Sequence, residues 1–287
     1  MSIAESLKHK RVGLCLASGF FGFFHHAGVM QALAERGVRP SRVTGTSAGA
    51  LVGAMYAAGL DPDRIGEELV GIGLDDFWDM QFPLTGDGFG LLAGHRFRAR
   101  LSQALPVHRF EDCRVPLAVG AVGIDDGRVI HLDSGPLLPA VHASCAVPYL
   151  FAPVRIDGRR YWDGGFGEKC PLAPFLSEPE VDAVVVSYLP LREQGREAGA
   201  GGLVGFLPQM SSLFADTPIE ERIERDRASV ARLREAGVEV FVLAPERVWL
   251  GPFSLERGGE SLEQGREGAV RILDSDDESL LGAETLR

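Results

Sequence analysis

The first sixty residues alternate between short apolar runs and helical patterns, and this alternation limits the fold more than any other feature of the chain. An apolar run at residues 11–16 ends in a glycine-containing loop, and residues 26–36 then carry apolar side chains at helical spacing. A second short run, residues 42–44, leads into a helix rich in small residues. Strands and helices that alternate in this way predict a mainly parallel sheet with helices on both faces.

The rest of the chain continues the pattern. Two pairs of strand-like runs flank Asp-Gly turns, and a charged amphipathic helix separates two longer runs that are typical of buried strands. These segments are residues 115–122, 129–132, 153–156, 160–162, 181–188, 219–236 and 238–243. We therefore expect a three-layer α/β/α domain over residues 1–250, followed by a peripheral helix and an acidic tail over residues 251–287.

Two glycine-rich stretches, residues 84–94 and 191–202, stand out from this pattern. Each is long enough to cover a site as a lid, but ordinary surface loops have the same composition. The surface-loop interpretation is favoured for both.

The composition is that of a globular protein with a formal net charge of −11. This charge argues against a nucleic-acid partner and against tight electrostatic binding to anionic lipid, since both need clustered Lys and Arg. We expect neither a signal peptide nor a bilayer-spanning segment, because no apolar run approaches roughly 20 residues. The four cysteines lie far apart without a C-x-x-C pair, so we expect buried, reduced thiols, a cytoplasmic location, and no metal or cofactor. The sequence leaves the oligomeric state open.

The pattern G-x-S-x-G at residues 45–49 follows a short strand and opens a helix. In this context it is typical of a nucleophile elbow, a tight turn that holds a serine in a strained conformation with its hydroxyl exposed. The flanking residues must be small, because larger side chains would collide with neighbouring strands. Ser47 is therefore the candidate nucleophile.

A serine hydroxyl needs a base, and the histidines of this chain are poorly placed for that role. The Ser-acid-His order of α/β-hydrolases requires a histidine late in the chain, yet the last one is His142. A triad through His131 or His142 stays the minor alternative to a carboxylate base. Asp163 stands out because it follows a strand and precedes two glycines, which let the backbone turn sharply and another segment approach. Taken alone, these residues favour a simple turn after a hairpin over a catalytic role.

Four sequence blocks, in their order and spacing, resemble the patatin-like phospholipases. The blocks are residues 13–16 with the loop that follows, residues 26–29, residues 45–49, and residues 143–148 continuing through 153–158 to 163–165. The resemblance implies a patatin-type catalytic domain with a Ser-Asp dyad, in which Ser47 attacks a lipid carboxylic ester and Asp163 is the base. Water then cleaves the acyl-enzyme without a metal.

The implied activity is that of a phospholipase A or lysophospholipase, with a lipid or acyl ester as substrate and transient contact with a membrane surface. An aspartate near its ordinary pKa of about 3.9 is a poor base. We therefore expect Asp163 to be partly desolvated, or its proton transfer to be concerted with the attack.

The segment that would receive the oxyanion departs from the family. Patatins usually carry a run of glycines followed by an arginine, whereas residues 18–24 read S-G-F-F-G-F-F. The resemblance implies that the backbone amides of Gly19 and Phe20 are the oxyanion donors, with Ser18 as a further candidate. Any role of the family's arginine is absent here or supplied elsewhere.

The four phenylalanines around Gly22 have two interpretations. As substrate-binding residues, Phe21 and Phe23 would line a pocket for the acyl chain. As structural residues they would form the buried start of the next helix, and we expect at least two of the four to belong to the core.

Two rival functions remain. A dinucleotide site needs G-x-G-x-x-G and an acidic residue roughly 20 positions later, and residues 19–22 supply only part of that pattern. The stronger rival is a catalytically weak patatin-like protein that binds lipid or has a regulatory role. The intact Ser47 and Asp163 argue against it, and the unusual oxyanion segment argues for it.

Overall fold

The computed structural model describes residues 1–77, 79–80, 84–85, 88–177, 180–189 and 219–276. Its strands are β1 (Val12–Leu16), β2 (Arg42–Thr46), β3 (Leu84–Thr85), β4 (Gly88–Leu92), β5 (Leu117–Gly123), β6 (Val129–Leu132), β7 (Tyr149–Phe151), β8 (Val154–Ile156), β9 (Arg159–Asp163), β10 (Ala183–Ser187) and β11 (Glu239–Leu243). Its helices are α1 (Ile3–Leu7), α2 (Phe23–Glu35), α3 (Ala48–Ala57), α4 (Pro62–Val70), α5 (His95–Ala104), α6 (Leu137–Cys145), α7 (Ala173–Ser177), α8 (Ile219–Glu235) and α9 (Gly258–Asp274). None of the helices in these ranges combines the length and the apolar composition needed to cross a bilayer.

The main sheet has the strand order β11, β10, β1, β2, β5, β9, β8, and β6 also pairs with β5. The strands from β11 to β5 in this order run parallel, whereas β6, β8 and β9 make antiparallel pairs. The predicted mainly parallel sheet is confirmed. Because the carboxyl ends of parallel strands share one edge, the loops that follow β1, β2, β10 and β11 meet there.

Successive side chains of the central strands enter two different cores. Leu14 and Leu16 of β1 pack in the core that includes α1 to α4 and α9. Cys15, between them, packs on the other face with Val230 and Leu233 of α8. Helices therefore cover both faces of the sheet, which confirms the three-layer α/β/α arrangement.

Helix α9 is part of the main core, which corrects the prediction that residues 251–287 are peripheral. Its buried Ala269, Ile272 and Leu273 belong to the same core as α2. The two helices lie so close that a Cβ on Gly28 would collide with the carbonyl of Leu262. Glycines at this contact lower helix propensity but allow close approach, so local sequence gives little sign of the packing. The domain boundary at residue 250 stays a prediction, and residues 277–287 lie outside the described residues.

The glycine-rich stretch at residues 84–94 contains paired strands where the sequence favoured a loop. Strand β4 pairs with β7, so that Gly90 lies opposite Tyr149. A Cβ on Gly90 would collide with the backbone of Ala152, which explains why glycine occupies this strand position. A lid function for this stretch stays a prediction. The second stretch, residues 191–202, lies outside the described residues.

Candidate active site

Ser47 lies on a strained turn between β2 and α3. Its φ is 55° and its ψ is −119°, a backbone conformation that a non-glycine residue rarely adopts. A Cβ on Gly45 would collide with the carbonyl of Gly49, and one on Gly49 would collide with the carbonyl of Leu16. Both glycines are thus required sterically, and the predicted elbow geometry is present.

Ser144 holds the elbow in place. Its Oγ accepts a hydrogen bond from the Ser47 amide at 2.9 Å and donates one to the Gly120 carbonyl at 2.6 Å. Ser144 is fully buried near the end of α6. A buried hydroxyl whose donor and acceptor are both used fixes the backbone of Ser47 against β5.

Asp163 meets Ser47 from the end of β9. The Ser47 hydroxyl donates a hydrogen bond to Asp163 Oδ2 at 2.7 Å, and the amide of Gly165 donates one to Asp163 Oδ1 at 2.8 Å. Asp163 is 3% exposed, and its own amide donates to the carbonyl of Ala146. Both carboxylate oxygens therefore have a fixed partner, and one of these partners is the candidate nucleophile.

The environment of Asp163 changes its acidity in the direction that a base requires. Burial raises its pKa to about 7, and the hydrogen bonds from Ser47 and Gly165 and the positive charge of Arg222 offset part of this effect. A carboxyl with this pKa accepts a proton far more readily at neutral pH than an ordinary aspartate does.

The segment between β1 and α2, residues 17–22, is the candidate oxyanion loop, named for the role that the sequence implies. The amide of Gly22 donates to the carbonyl of Gly19 at 3.0 Å, which closes a turn in which Phe21 has a φ of 48°. In the described part of the chain, the amides of Gly19 and Phe20 have no acceptor. The amide of Ser18 donates to the carbonyl of Lys169 at 2.9 Å, so Ser18 is not a free donor.

The loop begins beside the dyad. A Cβ on Gly165 would lie 2.9 Å from Ser18 Oγ and 3.1 Å from Asp163 Oδ1. The start of the loop and the candidate base therefore share one small space, which only a glycine at position 165 leaves open.

The four phenylalanines divide into two groups. Phe23, which is 5% exposed, and the fully buried Phe24 pack in the main core, which confirms that at least two of the four are core residues. A substrate-binding role for Phe23 stays a prediction. Phe20 and Phe21 are half-buried, with ring centroids 5.0 Å apart, and Phe21 also contacts Phe77.

The comparisons with known proteins decide the family. A family model described as patatin-like phospholipase matches residues 14–176, more than half of the chain. The chain belongs to the patatin-like phospholipase family. Both members of the candidate dyad and the whole oxyanion loop lie within the matched residues.

Several relatives of this patatin-like chain belong to the NTE family. It is 30% identical over 200 residues to an uncharacterized NTE family protein of Mycobacterium tuberculosis, which covers 66% of this chain and 51% of that protein. A second such protein of the same species is 27% identical over 288 residues, or 95% of this chain and 48% of that protein. A lysophospholipase of Cryptococcus neoformans named NTE1 is 27% identical over 186 residues, or 64% of this chain and 12% of that protein. The chain thus spans about half the length of its mycobacterial relatives.

Among solved structures, the patatin-like chain matches VipD from Legionella pneumophila with a TM-score of 0.49 and 16% sequence identity. The match covers 92% of this chain and 67% of that chain. A likeness at this level supports no statement about activity.

The buried histidines of the patatin-like domain have structural contacts. His26 Nε2 lies 2.8 Å from the carbonyl of Ala17 and Nδ1 lies 2.8 Å from Ser187 Oγ. Burial lowers the pKa of His26 to about 3, so the ring is neutral. Nε2 therefore donates to Ala17 and Nδ1 accepts from Ser187, which fastens the start of the oxyanion loop to β10.

Neither histidine of the alternative triad is bonded to Ser47. His131 pairs with Glu168, which raises its pKa despite burial. His142 packs against Phe97 and Gly94, and within the described ranges both of its ring nitrogens lack a hydrogen-bond partner. The carboxylate interpretation is the one that fits the contacts of Ser47.

The four cysteines are free thiols. Cys15 and Cys170 are buried as expected, whereas Cys113 and Cys145 are half-buried. The described ranges contain no group of three or more His, Cys, Asp or Glu side chains that could hold a metal ion.

Sequence reasoning missed three residues that support the site. Ser144 lies in one of the four sequence blocks that resemble the family, but the block does not show that its hydroxyl joins the elbow to β5. Arg222 Nη1 donates to the carbonyl of Gly165 at 2.6 Å from the charged helix α8, where arginines at helical spacing look like a solvated face. Arg247 reaches the oxyanion loop from the loop after β11, and a lone arginine there carries no local signal.

Proposed function

We propose that this protein is a serine acyl hydrolase that cleaves carboxylic esters of lipids with a Ser47–Asp163 dyad. The single observation that carries the proposal is the 2.7 Å hydrogen bond from the Ser47 hydroxyl to Asp163 Oδ2, made from a strained elbow. In acylation, Ser47 Oγ attacks the ester carbonyl carbon as its proton passes to Asp163 Oδ2. The raised pKa of Asp163, about 7, makes this transfer practicable near neutral pH.

The oxyanion loop would stabilise the tetrahedral intermediate. The acceptor-free amides of Gly19 and Phe20 are the proposed donors to the carbonyl oxygen as it becomes negatively charged. One such donor typically contributes about 2.7–4 kcal/mol of transition-state stabilisation. Two amides already directed by the turn at Gly22 would need little reorganisation during the reaction.

Asp163 gives its proton back each time a tetrahedral intermediate collapses. As the intermediate collapses, Asp163 returns its proton to the leaving alcohol, and the acyl group stays on Ser47. A water molecule then gives a proton to Asp163 as its oxygen attacks the acyl carbonyl. When this second intermediate collapses, the bond from the acyl carbon to Ser47 Oγ breaks, Asp163 returns the proton to Ser47 Oγ, and the fatty acid is released. The cycle uses one carboxyl as base and then as acid in each half.

A lysophospholipid is the substrate that we propose first. The name of the Cryptococcus relative supports this choice, and the half-buried Phe20 and Phe21 supply apolar surface at the loop. We propose Phe21 as an acyl-chain contact. The corresponding test is Phe21→Ala, which should weaken turnover of long-chain esters more than that of short-chain esters.

We also propose transient contact with a lipid surface through a set of three exposed apolar side chains. Met80 is 69% exposed, and Phe89 and Leu91 of β4 are each 41% exposed. Met80 pairs with Leu92 by an isolated bridge, so the three side chains belong to one small sheet that continues into β7. Three large apolar side chains exposed together favour contact with a nonaqueous surface.

A cytosolic location stays part of the proposal, supported by the four free thiols. The rival function, a weak patatin-like lipid-binding protein, gains no support from the dyad or from the two free amides. A panel of lysophospholipid, phospholipid, monoacylglycerol and short acyl esters separates the two functions. We expect turnover of at least one lipid ester, undiminished by a metal chelator. Absence of turnover of every ester would favour the rival.

A further inference from the structure

Arg247 reaches the oxyanion loop from the neighbouring strand end. A Cβ placed on Gly19 would lie 3.2 Å from Arg247 Nη1, and one placed on Gly22 would lie 3.3 Å from the same atom. Leu189, which follows β10, packs against the same two glycines, and its Cδ1 would lie 2.5 Å from a Cβ placed on Gly19. The guanidinium therefore lies on the side of Gly19 from which a side chain would project.

The guanidinium of Arg247 has no compensating partner in the described part of the chain. Its Nε and Nη1 are buried without a hydrogen-bond acceptor, and no carboxylate there lies within salt-bridge distance. The ring of Trp249 covers one face, with its centroid 3.7 Å from Cζ. Burial lowers the pKa of Arg247 to about 10, so the group keeps its charge at neutral pH. A buried charge without a partner is costly, and such a group needs a reason to persist.

The neighbouring ionisable side chains do not neutralise this charge. His25 and His26 of α2 are uncharged at neutral pH, because burial lowers the pKa of each to about 3. Lys169 is a base, and its pKa is lowered to about 8, first by burial and also by the charge of Arg247. None of these three side chains therefore offsets the charge of Arg247.

A substrate phosphate or carboxylate cannot reach Arg247 Nε or Nη1 directly, because both atoms are covered. A negative charge that forms at the amides of Gly19 and Phe20 is a different case. Arg247 Nη1 lies beside Gly19 and Gly22, which belong to the same turn as the two amides. A fixed charge acts strongly on a neighbouring charge where water is excluded.

We propose that Arg247 is a positioning residue of the hydrolase, whose uncompensated charge favours the oxyanion held by the amides of Gly19 and Phe20. The inference rests on the proposed function and adds to it a residue whose covered Nε and Nη1 act on the oxyanion through the loop. The cost of the buried charge in the resting protein is relieved in the transition state, when the oxyanion becomes its partner.

The test compares variants that keep or remove the charge. Arg247→Met and Arg247→Gln remove it at similar length, and Arg247→Lys keeps it. The control Arg36→Gln removes a cation that pairs with Asp274 at the far end of α2. We would measure kcat and KM for a soluble p-nitrophenyl ester, the rate of labelling by a fluorophosphonate, and the melting temperature of each variant.

We expect both neutral variants to lower kcat by about 10- to 100-fold, with KM changed by less than about twofold. Arg247→Lys should retain more activity than either, and Arg36→Gln should stay within about twofold of the wild type. Unchanged kcat in both neutral variants would overturn the inference and leave the hydrolase intact. A loss that lysine does not relieve would assign Arg247 a structural role and overturn it as well. A wild-type protein that neither labels nor turns over ester would remove the proposed function and this inference together.

Discussion

Ser144 joins the nucleophile to the sheet, since its hydroxyl accepts the Ser47 amide hydrogen and donates to the carbonyl of Gly120. Ser144→Ala would remove the partner of the Ser47 amide and a donor to the Gly120 carbonyl. We expect a loss of about 1–3 kcal/mol in the free energy of unfolding, the usual cost of unsatisfied buried polar groups. Activity should fall by at least about tenfold, because the elbow loses its fixed position. Urea unfolding and ester kinetics check both values, and the exposed Ser102→Ala is the control. Unaltered kinetics in Ser144→Ala would contradict this role.

Gly49→Ala tests the steric basis of the elbow. The added methyl group would collide with the carbonyl of Leu16, a backbone atom that cannot rotate away. Overpacking of this kind costs about 1–3 kcal/mol or more. Gly259→Ala is the matched control, because a Cβ there meets nothing within 4 Å and lies in helix α9. Thermal unfolding should show a lower melting temperature for Gly49→Ala and an equal or higher one for the control. Equal effects in the two variants would argue against the steric account.

The pH dependence of activity should report the ionisation of Asp163. The proposed base works only when it is ionised, and burial raises its pKa to about 7. We therefore expect kcat/KM to rise with pH and to level off above about pH 7. Asp226 is the control, since it is also buried and burial raises its pKa to about 7 as well. Asp226→Asn should keep the midpoint of the profile, and a midpoint near pH 4 in the wild type would count against a desolvated base.

Asp163→Asn should separate stability from activity. The pKa of Asp163 is raised in the folded state to about 7, from 3.8, so the folded state is favoured below pH 4 and loses that advantage as pH rises to about 7. Asparagine does not ionise, so it avoids the cost of a buried charge at high pH. The variant should be more stable than the wild type at pH 8, by at most about 4 kcal/mol at 1.36 kcal/mol per pKa unit, and equally stable near pH 4. Urea unfolding at both pH values checks this, and a gain larger at pH 4 than at pH 8 would have the wrong sign.

The proposed lipid contact is tested by Phe89→Ser combined with Leu91→Ser. Val70→Ser is the matched control, because Val70 is 48% exposed on a different element, helix α4. Made in a Ser47→Ala background, these variants can be sedimented with phosphatidylcholine vesicles without hydrolysis. We expect the double variant to bind vesicles severalfold more weakly than the control. Equal sedimentation of the two would exclude this surface as the contact.

The sequence alone sufficed for much of the fold, and the two residues that it named as the candidate dyad are hydrogen-bonded in the structure. Glycines at positions 45 and 49 and the pair after Asp163 are visible locally because backbone crowding requires them. The apolar runs of β10 and β11 likewise predict buried parallel strands, although the strands begin one or two residues later than expected. Patterns of this kind depend on near neighbours in the chain.

Other features depend on contacts between distant segments, which local patterns do not encode. Ser144 and Ser47 are 97 residues apart, and Arg222 is 57 residues from Gly165. The glycines of the C-terminal helix α9 weaken its helical pattern locally, yet they let the helix pack directly on α2. The burial of Phe23 also depends on distant contacts, because a run of phenylalanines does not indicate which of the rings belong to the core.

The most direct test of the central claim is the rate at which a fluorophosphonate labels the protein, with the modified residue located by mass spectrometry. The wild type should be labelled on Ser47, and Ser47→Ala should not be labelled. Asp163→Asn should be labelled more slowly by about 100-fold or more, the usual contribution of a general base. Labelling of another serine, or equal rates for the wild type and Asp163→Asn, would contradict a Ser47–Asp163 dyad.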